Sequence, residues 1–252
     1  MMCTATARIS PGRATAPTRW SAWAISSCSS TTPTTPAASS RTSSAWPTPT
    51  GSSSCAPPAL RTARRFDEAR ELGRRLWDGI DRESAIETAV RKQYAELFAA
   101  LPTPTYATYG NVDIPRLWPE YAGPGTTVLD GERVEIGGRV FGFVGGGLPS
   151  PMRTPYEVDW DAYAAKVAAL GEVDVLCSHI PPEVPELCYD TVARRFERGS
   201  SALLDAIREL RPAYSLFGHV HQPLARRMRI GATECVNVGH FASTGRPWAL
   251  QW

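Results

Sequence analysis

The stretch Phe217-Gly218-His219-Val220-His221 constrains this chain more than any other. An apolar run from Ala213 to Leu216 precedes it, short enough for a buried strand. Glycine permits a sharp turn where that strand ends. In extended backbone, residues i and i+2 point the same way, so both imidazoles can reach one place. Neutral imidazole is the commonest metal nitrogen ligand, and a shared metal is the use that fits such a place. For an isolated His-x-His, two unrelated polar loop residues would be the simpler account. Two upstream motifs of matching chemistry tip the balance.

The first is Val173-Asp174-Val175-Leu176-Cys177, a buried strand by pattern, followed by Ser178-His179-Ile180-Pro181-Pro182, where the prolines block continuation. The second is Pro104 to Tyr109, a strand rich in Thr and Tyr, followed by Gly110-Asn111-Val112-Asp113. Asparagine is a neutral oxygen ligand, suited to a site where other groups supply the negative charge. Open α/β sheets bind ligands outside the carboxyl ends of their strands, and three strand-end loops carrying Asn, His and His-x-His fit that rule.

Together, Gly110-Asn111-Val112-Asp113, Ser178-His179 and Gly218-His219-Val220-His221 resemble, in order, motifs of the calcineurin-like metallophosphoesterases. The resemblance covers roughly Pro102 to Gly245. It implies an α/β fold, a two-sheet sandwich flanked by helices, with two divalent metal ions (Mn, Fe or Zn) at the strand ends. Asn111, His179 and His219 would hold one metal and His221 would help hold the other. Two metals about 3.5–4 Å apart would clamp a phosphoryl group and supply a hydroxide for in-line attack. The implied activity is hydrolysis of a small phosphomonoester or phosphodiester. Many family members carry a histidine after Gly-Asn as leaving-group acid; here that position is Val112, which transfers no proton. Asp113 is the candidate for a catalytic role in orienting ligand or substrate. The family's first two motifs, Asp-x-His and Gly-Asp, supply the bridging aspartate and the remaining ligands, and neither is present upstream.

Residues 1–60 differ from everything after them. They contain no Asp, Glu, Lys or His, and the first acidic residue is Asp67. A transit peptide, a disordered tail and translation in the wrong frame compete. The genetic code bears on the third. Joining the last base of each codon to the first two of the next, Met1-Met2 yields Asp and Met2-Cys3 yields Val. The pairs through Thr6 then permit His, Gly and Asn. Trp23-Ala24 forces Gly and Ala24-Ile25 permits Asp, after pairs from Arg19 that permit Leu-Val-Cys-Leu. Both absent motifs can thus be spelled in order. The expectation is a frameshift or misassigned start, with register returning between Cys55 and Arg64. Residues 1–60 are then a disordered, out-of-frame segment, and 61–252 a phosphoesterase domain whose N-terminal strands are missing or scrambled. Such a chain would be poorly soluble and impaired in two-metal hydrolysis. The alternative is an inactive phosphoesterase-fold scaffold for protein interaction.

From Arg64 to Leu101 apolar residues recur at helical spacing, interrupted near Gly79 and Asp81, which predicts two amphipathic helices covering a sheet. Gly137-Gly138 predicts a two-residue hairpin. Gly145-Gly146-Gly147 opens a loop to Pro155 that could approach the metal site; a plain connector is the simpler reading. Asp159 is expected to cap a helix over Trp160 to Leu170, and Ser200 or Ser201 one with Leu203, Leu204, Ile207 and Leu210 on its apolar face. Pro181 to Asp190 reads as an irregular crossover, Arg226–Arg229 as a solvated strand edge, and His240 as structural.

Residues 1–60 hold four arginines and no acid, so the formal net charge of +2 becomes −2 for the remainder. That gives no case for nucleic-acid binding through net charge. The six cysteines include no Cys-x-x-Cys pair and no apolar run spans a membrane. Reduced thiols, a cytoplasmic location and no membrane partner are the expectations.

Overall fold

The computed structural model describes residues 2–8, 19–25 and 78–251 apart from 246, with five helical positions between 68 and 75. In chain order the elements are β1 (Met2–Arg8), β2 (Arg19–Ile25), α1 (Arg82–Ala100), β3 (Thr105–Thr108), a 3-10 turn (Pro115–Glu120), β4 (Thr126–Val128), β5 (Glu132–Ile136) and β6 (Arg139–Val144). Then come α2 (Trp160–Ala169), β7 (Val175–Ser178), α3 (Pro185–Cys188), β8 (Tyr189–Asp190), β9 (Arg195–Phe196), α4 (Ser201–Leu210) and β10 (Tyr214–Phe217). The last are β11 (Arg227–Ile230), β12 (Thr233–Asn237), α5 (Phe241–Thr244) and β13 (Trp248–Gln251). The chain is a mixed α/β structure built on a six-stranded sheet, β11-β12-β10-β7-β6-β5, and a five-stranded sheet, β13-β2-β1-β3-β4. Met1–Cys28 with Arg91–Trp252 forms one compact unit and Ser29–Val90 another. Composition alone places the division at residue 60.

The centre of the larger sheet is parallel: β6, β7, β10 and β12 run together. Such strands are buried on both faces, and every residue of β7 and β12 is buried. Alternate residues serve two cores. Phe141, Phe143, Val175, Cys177, Leu216 and Val236 pack with Leu129, Leu250, Tyr106 and Trp248 toward the five-stranded sheet. Val144, Leu176, Phe217 and Cys235 pack with Tyr163, Val167, Leu203 and Ile207 of α2 and α4.

Local chemistry sets the boundaries of these elements. Asp159 caps α2, accepting from the Ala162 N–H at 2.9 Å, and Ser200 caps α4, accepting from the Leu203 N–H at 3.2 Å. Each satisfies a first-turn donor that the helix leaves unpaired. The β5–β6 hairpin pairs Ile136 with Arg139 across Gly137 and Gly138, whose φ of 59° and 77° suit a mirror-image two-residue turn. Arg227–Arg229 of the arginine-rich run lie on edge strand β11, where Arg229 reaches Glu234 at 4.0 Å and Arg227 pairs with the same carboxylate.

Three expectations need correction. Among the described residues, the 64–101 segment does not bury a continuous apolar face: Leu72, Ile80 and Ile86 are exposed, and Tyr94 is the buried residue of α1. Leu210 is likewise exposed, because α4 ends there in its left-handed cap at Arg211. Within residues 1–60, expected to be disordered, β1 and β2 are strands; the rest of that segment lies outside the described residues. Main-chain pairing with β3 accounts for this, since ladder hydrogen bonds demand no particular side chain. β1 runs antiparallel to β3, with Cys3 opposite Thr108 and Thr6 opposite Thr105, so its carboxyl end points away from Asn111. β2 runs antiparallel to β1, which returns its carboxyl end to Asn111's side of the sheet.

Candidate metal and phosphoester site

β7 and β10 are parallel neighbours, so their following residues, His179 and Gly218–His221, emerge at one edge of the sheet. Asn111 arrives from the other sheet, on the loop after β3. Its Oδ1 lies 2.8 Å from His179 Nε2, which is 3.2 Å from His219 Nδ1. Three of the four expected metal ligands therefore present their donor atoms to one point. His179 is fully buried, and its Nδ1 has no hydrogen-bond partner among the described residues. Burial, reinforced by the neighbouring His219, holds His179 well below the ordinary imidazole range. Burial also lowers His219, with Glu197 opposing and His221 adding to the shift. Both rings are accordingly neutral at pH 7, each with a nitrogen lone pair suited to a cation.

Each donor is held in place. His219 has φ 63°, a left-handed conformation uncommon outside glycine and concentrated at functional sites. Asn237, buried at the end of β12, stabilises that turn: its Nδ2 donates to the carbonyls of Gly218 at 3.2 Å and Val220 at 2.9 Å. Asn111 is clasped by the loop after β6. The Tyr156 N–H donates to the Asn111 carbonyl at 2.9 Å. A Cβ on Gly147 would sit 2.5 Å from the Asn111 Cβ, so only glycine allows that approach. Asn111 Nδ2 donates to Thr154 Oγ1 at 3.2 Å, and Thr154 Oγ1 donates to Glu157 at 3.0 Å. This chain of donors turns the amide so that its oxygen faces the histidines. Burial raises the Glu157 pKa, but hydrogen bonds from the Ser150 and Thr154 hydroxyls and N–H groups outweigh it and hold the carboxyl at about 2. The glycine loop is thus part of the site, where the simpler sequence reading makes it a connector.

Asp113, expected to orient ligand or substrate, is found in the turn that carries Asn111. Its carboxylate accepts from the Gly110 N–H at 2.6 Å and from the Tyr94 hydroxyl at 3.0 Å, and it is buried. It closes the turn that carries Asn111 and ties that turn to α1, whose Tyr94 oxygen also accepts from the Ile114 N–H at 2.9 Å. His221 does not join the donor trio. Its ring stacks parallel to His240, 4.3 Å between centroids, with Asp190 opposing the fall in its pKa that burial causes. Among the described residues, no group of three or more His, Cys, Asp or Glu side chains is arranged to hold a metal ion. The two imidazoles and one amide could hold one divalent cation as three neutral donors. No described carboxylate completes a second site around His221.

Asn111 and His219 also line a cavity of about 400 Å³, together with Met152, Arg195, Phe196 and Arg198. Sequence reasoning misses Thr154, Glu157 and Asp190, and misses the wall formed by β9. The Gly145–Gly147 triplet is the one legible signal for the loop after β6.

No family model matches this sequence, and no curated protein matches it. A solved crystal structure is similar at TM-score 0.51 and 19% identity, over 77% of this chain and 80% of its own. A likeness at that identity shows a shared fold. The crystal structure of TT1561 from Thermus thermophilus aligns at TM-score 0.45 and 16% identity, over 64% of this chain and 79% of its own. No described helix is long and apolar enough to cross a membrane, and Cys177, Cys188 and Cys235 are buried free thiols.

Proposed function

We propose that this chain is a metal-dependent phosphoesterase, of the calcineurin-like type, acting on a small phosphomonoester or phosphodiester. The convergence of Asn111 Oδ1, His179 Nε2 and His219 Nδ1 carries this reading. A divalent cation held by these three donors would supply Lewis acidity toward a phosphoryl oxygen and a nucleophile at neutral pH. The chain's own residues bind and orient. The neutral donors leave the positive charge of the cation undiminished, and Arg198 on the cavity wall draws an anionic ester toward it. Val112 offers no proton, so the leaving alcohol takes one from water or is itself acidic.

The frameshift belongs to the same proposal. The shifted frame of β2 permits Gly-Asp at the end of the sheet nearest Asn111, and that of β1 permits Asp-x-His at its beginning, on that same side. A gene encoding both would complete the bridging carboxylate and the second set of ligands. The scaffold reading is favoured by one observation: among the described residues, no group of three or more His, Cys, Asp or Glu side chains is arranged to hold a metal ion.

The deciding experiment is manganese titration of the metal-stripped chain, followed by turnover of bis(4-nitrophenyl) phosphate. One bound cation per chain, lost in His179→Ala and His219→Ala, is expected. A chain that binds no manganese in the micromolar range is a scaffold.

A further inference from the structure

The β8–β9 hairpin places an unusual wall beside the donor trio. Phe196 is 66% exposed and Met152 68%, yet both line the cavity that Asn111 and His219 also line. Tyr189 meets Phe196 at 5.0 Å in a tilted, edge-on contact, which leaves the rest of the Phe196 ring without an aromatic neighbour among the described residues. Two arginines line the same cavity. Arg195 donates through Nε to Glu197 at 2.8 Å, so that pair is nearly neutral. Arg198 has its guanidinium 6.0 Å from the Trp160 ring centroid, and no described carboxylate pairs with it. The wall is therefore a flat apolar face flanked by a net positive charge.

We infer that this cavity is a subsite for phosphoesters whose alcohol carries a planar aromatic ring, with the ring lying on Phe196 and an anionic oxygen on Arg198. This rests on the phosphoesterase reading of the trio. The volume of about 400 Å³ falls in the range of small-ligand pockets and holds a nucleoside or aryl group with its phosphate. Stacking on an exposed phenyl ring is tolerant of ring identity, because every planar ring has a π face. A guanidinium matches phosphate oxygens with two parallel donors. A purely alkyl ester gains the second interaction and not the first.

The test is calorimetric titration of the metal-stripped, full-length chain with adenosine 5′-monophosphate, phenyl phosphate and glycerol 3-phosphate. The two ring-bearing esters should bind about tenfold more tightly than the glycerol ester, the scale of one stacked ring. Phe196→Ala should bring them down to the glycerol ester's affinity, and Phe196→Tyr should restore the difference. Arg198→Gln should weaken all three and flatten their salt dependence. Tighter binding of adenosine monophosphate than phenyl phosphate identifies a nucleoside; the reverse identifies a simple aryl group. Equal affinity for all three esters, or no binding of any, overturns the proposal whatever the variants do. Failure of bis(4-nitrophenyl) phosphate turnover would remove the esterase reading and leave the discrimination among esters standing, so the two fail separately.

Discussion

The amide of Asn111 shows how a residue's chemistry can depend on residues that never touch the site. An amide offers an oxygen or an NH₂ group, and only the oxygen can ligate a cation. Thr154 and Glu157 choose between them, since Glu157 accepts from Thr154 and Thr154 must then accept from Asn111 Nδ2. Thr154→Val should lower manganese affinity about 10–100-fold, the usual cost of losing a partner behind a ligand, with thermal stability of the metal-free chain little changed. Calorimetry and a melting curve separate the two effects. Glu157 also sets a pH limit. Its folded pKa, about 2, lies below the ordinary glutamate value of 4.5. Its contribution to holding the loop is then fully present above the ordinary value and is lost as pH falls toward 2. Amide exchange in residues 147–158 should accelerate across that window, and Glu157→Gln should show fast exchange at every pH. Asn111, His179 and His219 are legible in the sequence because each ends an apolar run and each has a donor that metals favour. Thr154 and Glu157 are not: Thr154 meets Asn111 43 residues away in sequence, on a folded loop that no periodicity marks.

Glycine and capping residues shape the elements. Gly147 lets the β6 loop lie against Asn111, and a methyl group there would overlap the Asn111 Cβ at 2.5 Å. Gly147→Ala should therefore destabilise by about 1–3 kcal/mol, the usual cost of overpacking, and reduce manganese binding by shifting the amide. Ser200→Ala, remote from the donor trio, should cost about 1 kcal/mol through the lost α4 cap and leave manganese affinity unchanged. Chemical denaturation with and without manganese distinguishes the pair. The caps at Asp159 and Ser200 and the Gly137-Gly138 hairpin are readable because one or two residues decide each. β8 and β9 are not, because two-residue strands carry no alternation to detect. What places them is tertiary: Asp190 accepts from the N–H groups of Val192 and Ala193 at 2.9 and 2.8 Å and of Gln222 at 3.2 Å, tying the hairpin to the His219–His221 loop.

At the scale of the whole molecule, the two sheets bring together what the order of motifs implies. One sheet delivers Asn111 and the other both His179 and His219. The departure lies in β1. Ligands gather at the carboxyl ends of strands in sheets of this kind, and β1 turns its carboxyl end away from Asn111. A chain whose opening residues carried Asp-Val-His-Gly-Asn and Leu-Val-Cys-Leu-Gly-Asp would have reason to reverse β1, because bridging carboxylate and imidazole would then be drawn to one pair of cations. Expressing that frame-restored chain beside the present one tests the idea directly. The restored chain should bind close to two manganese ions against at most one here. Because metal binds the folded state alone, a hundredfold excess over the dissociation constant should stabilise it by about 2.7 kcal/mol per site, so the two chains should differ most in melting temperature when manganese is present. Equal stoichiometry in the two chains, or genomic DNA whose shifted codons spell other residues, would leave residues 1–60 as a native segment and the single-cation trio as the complete site.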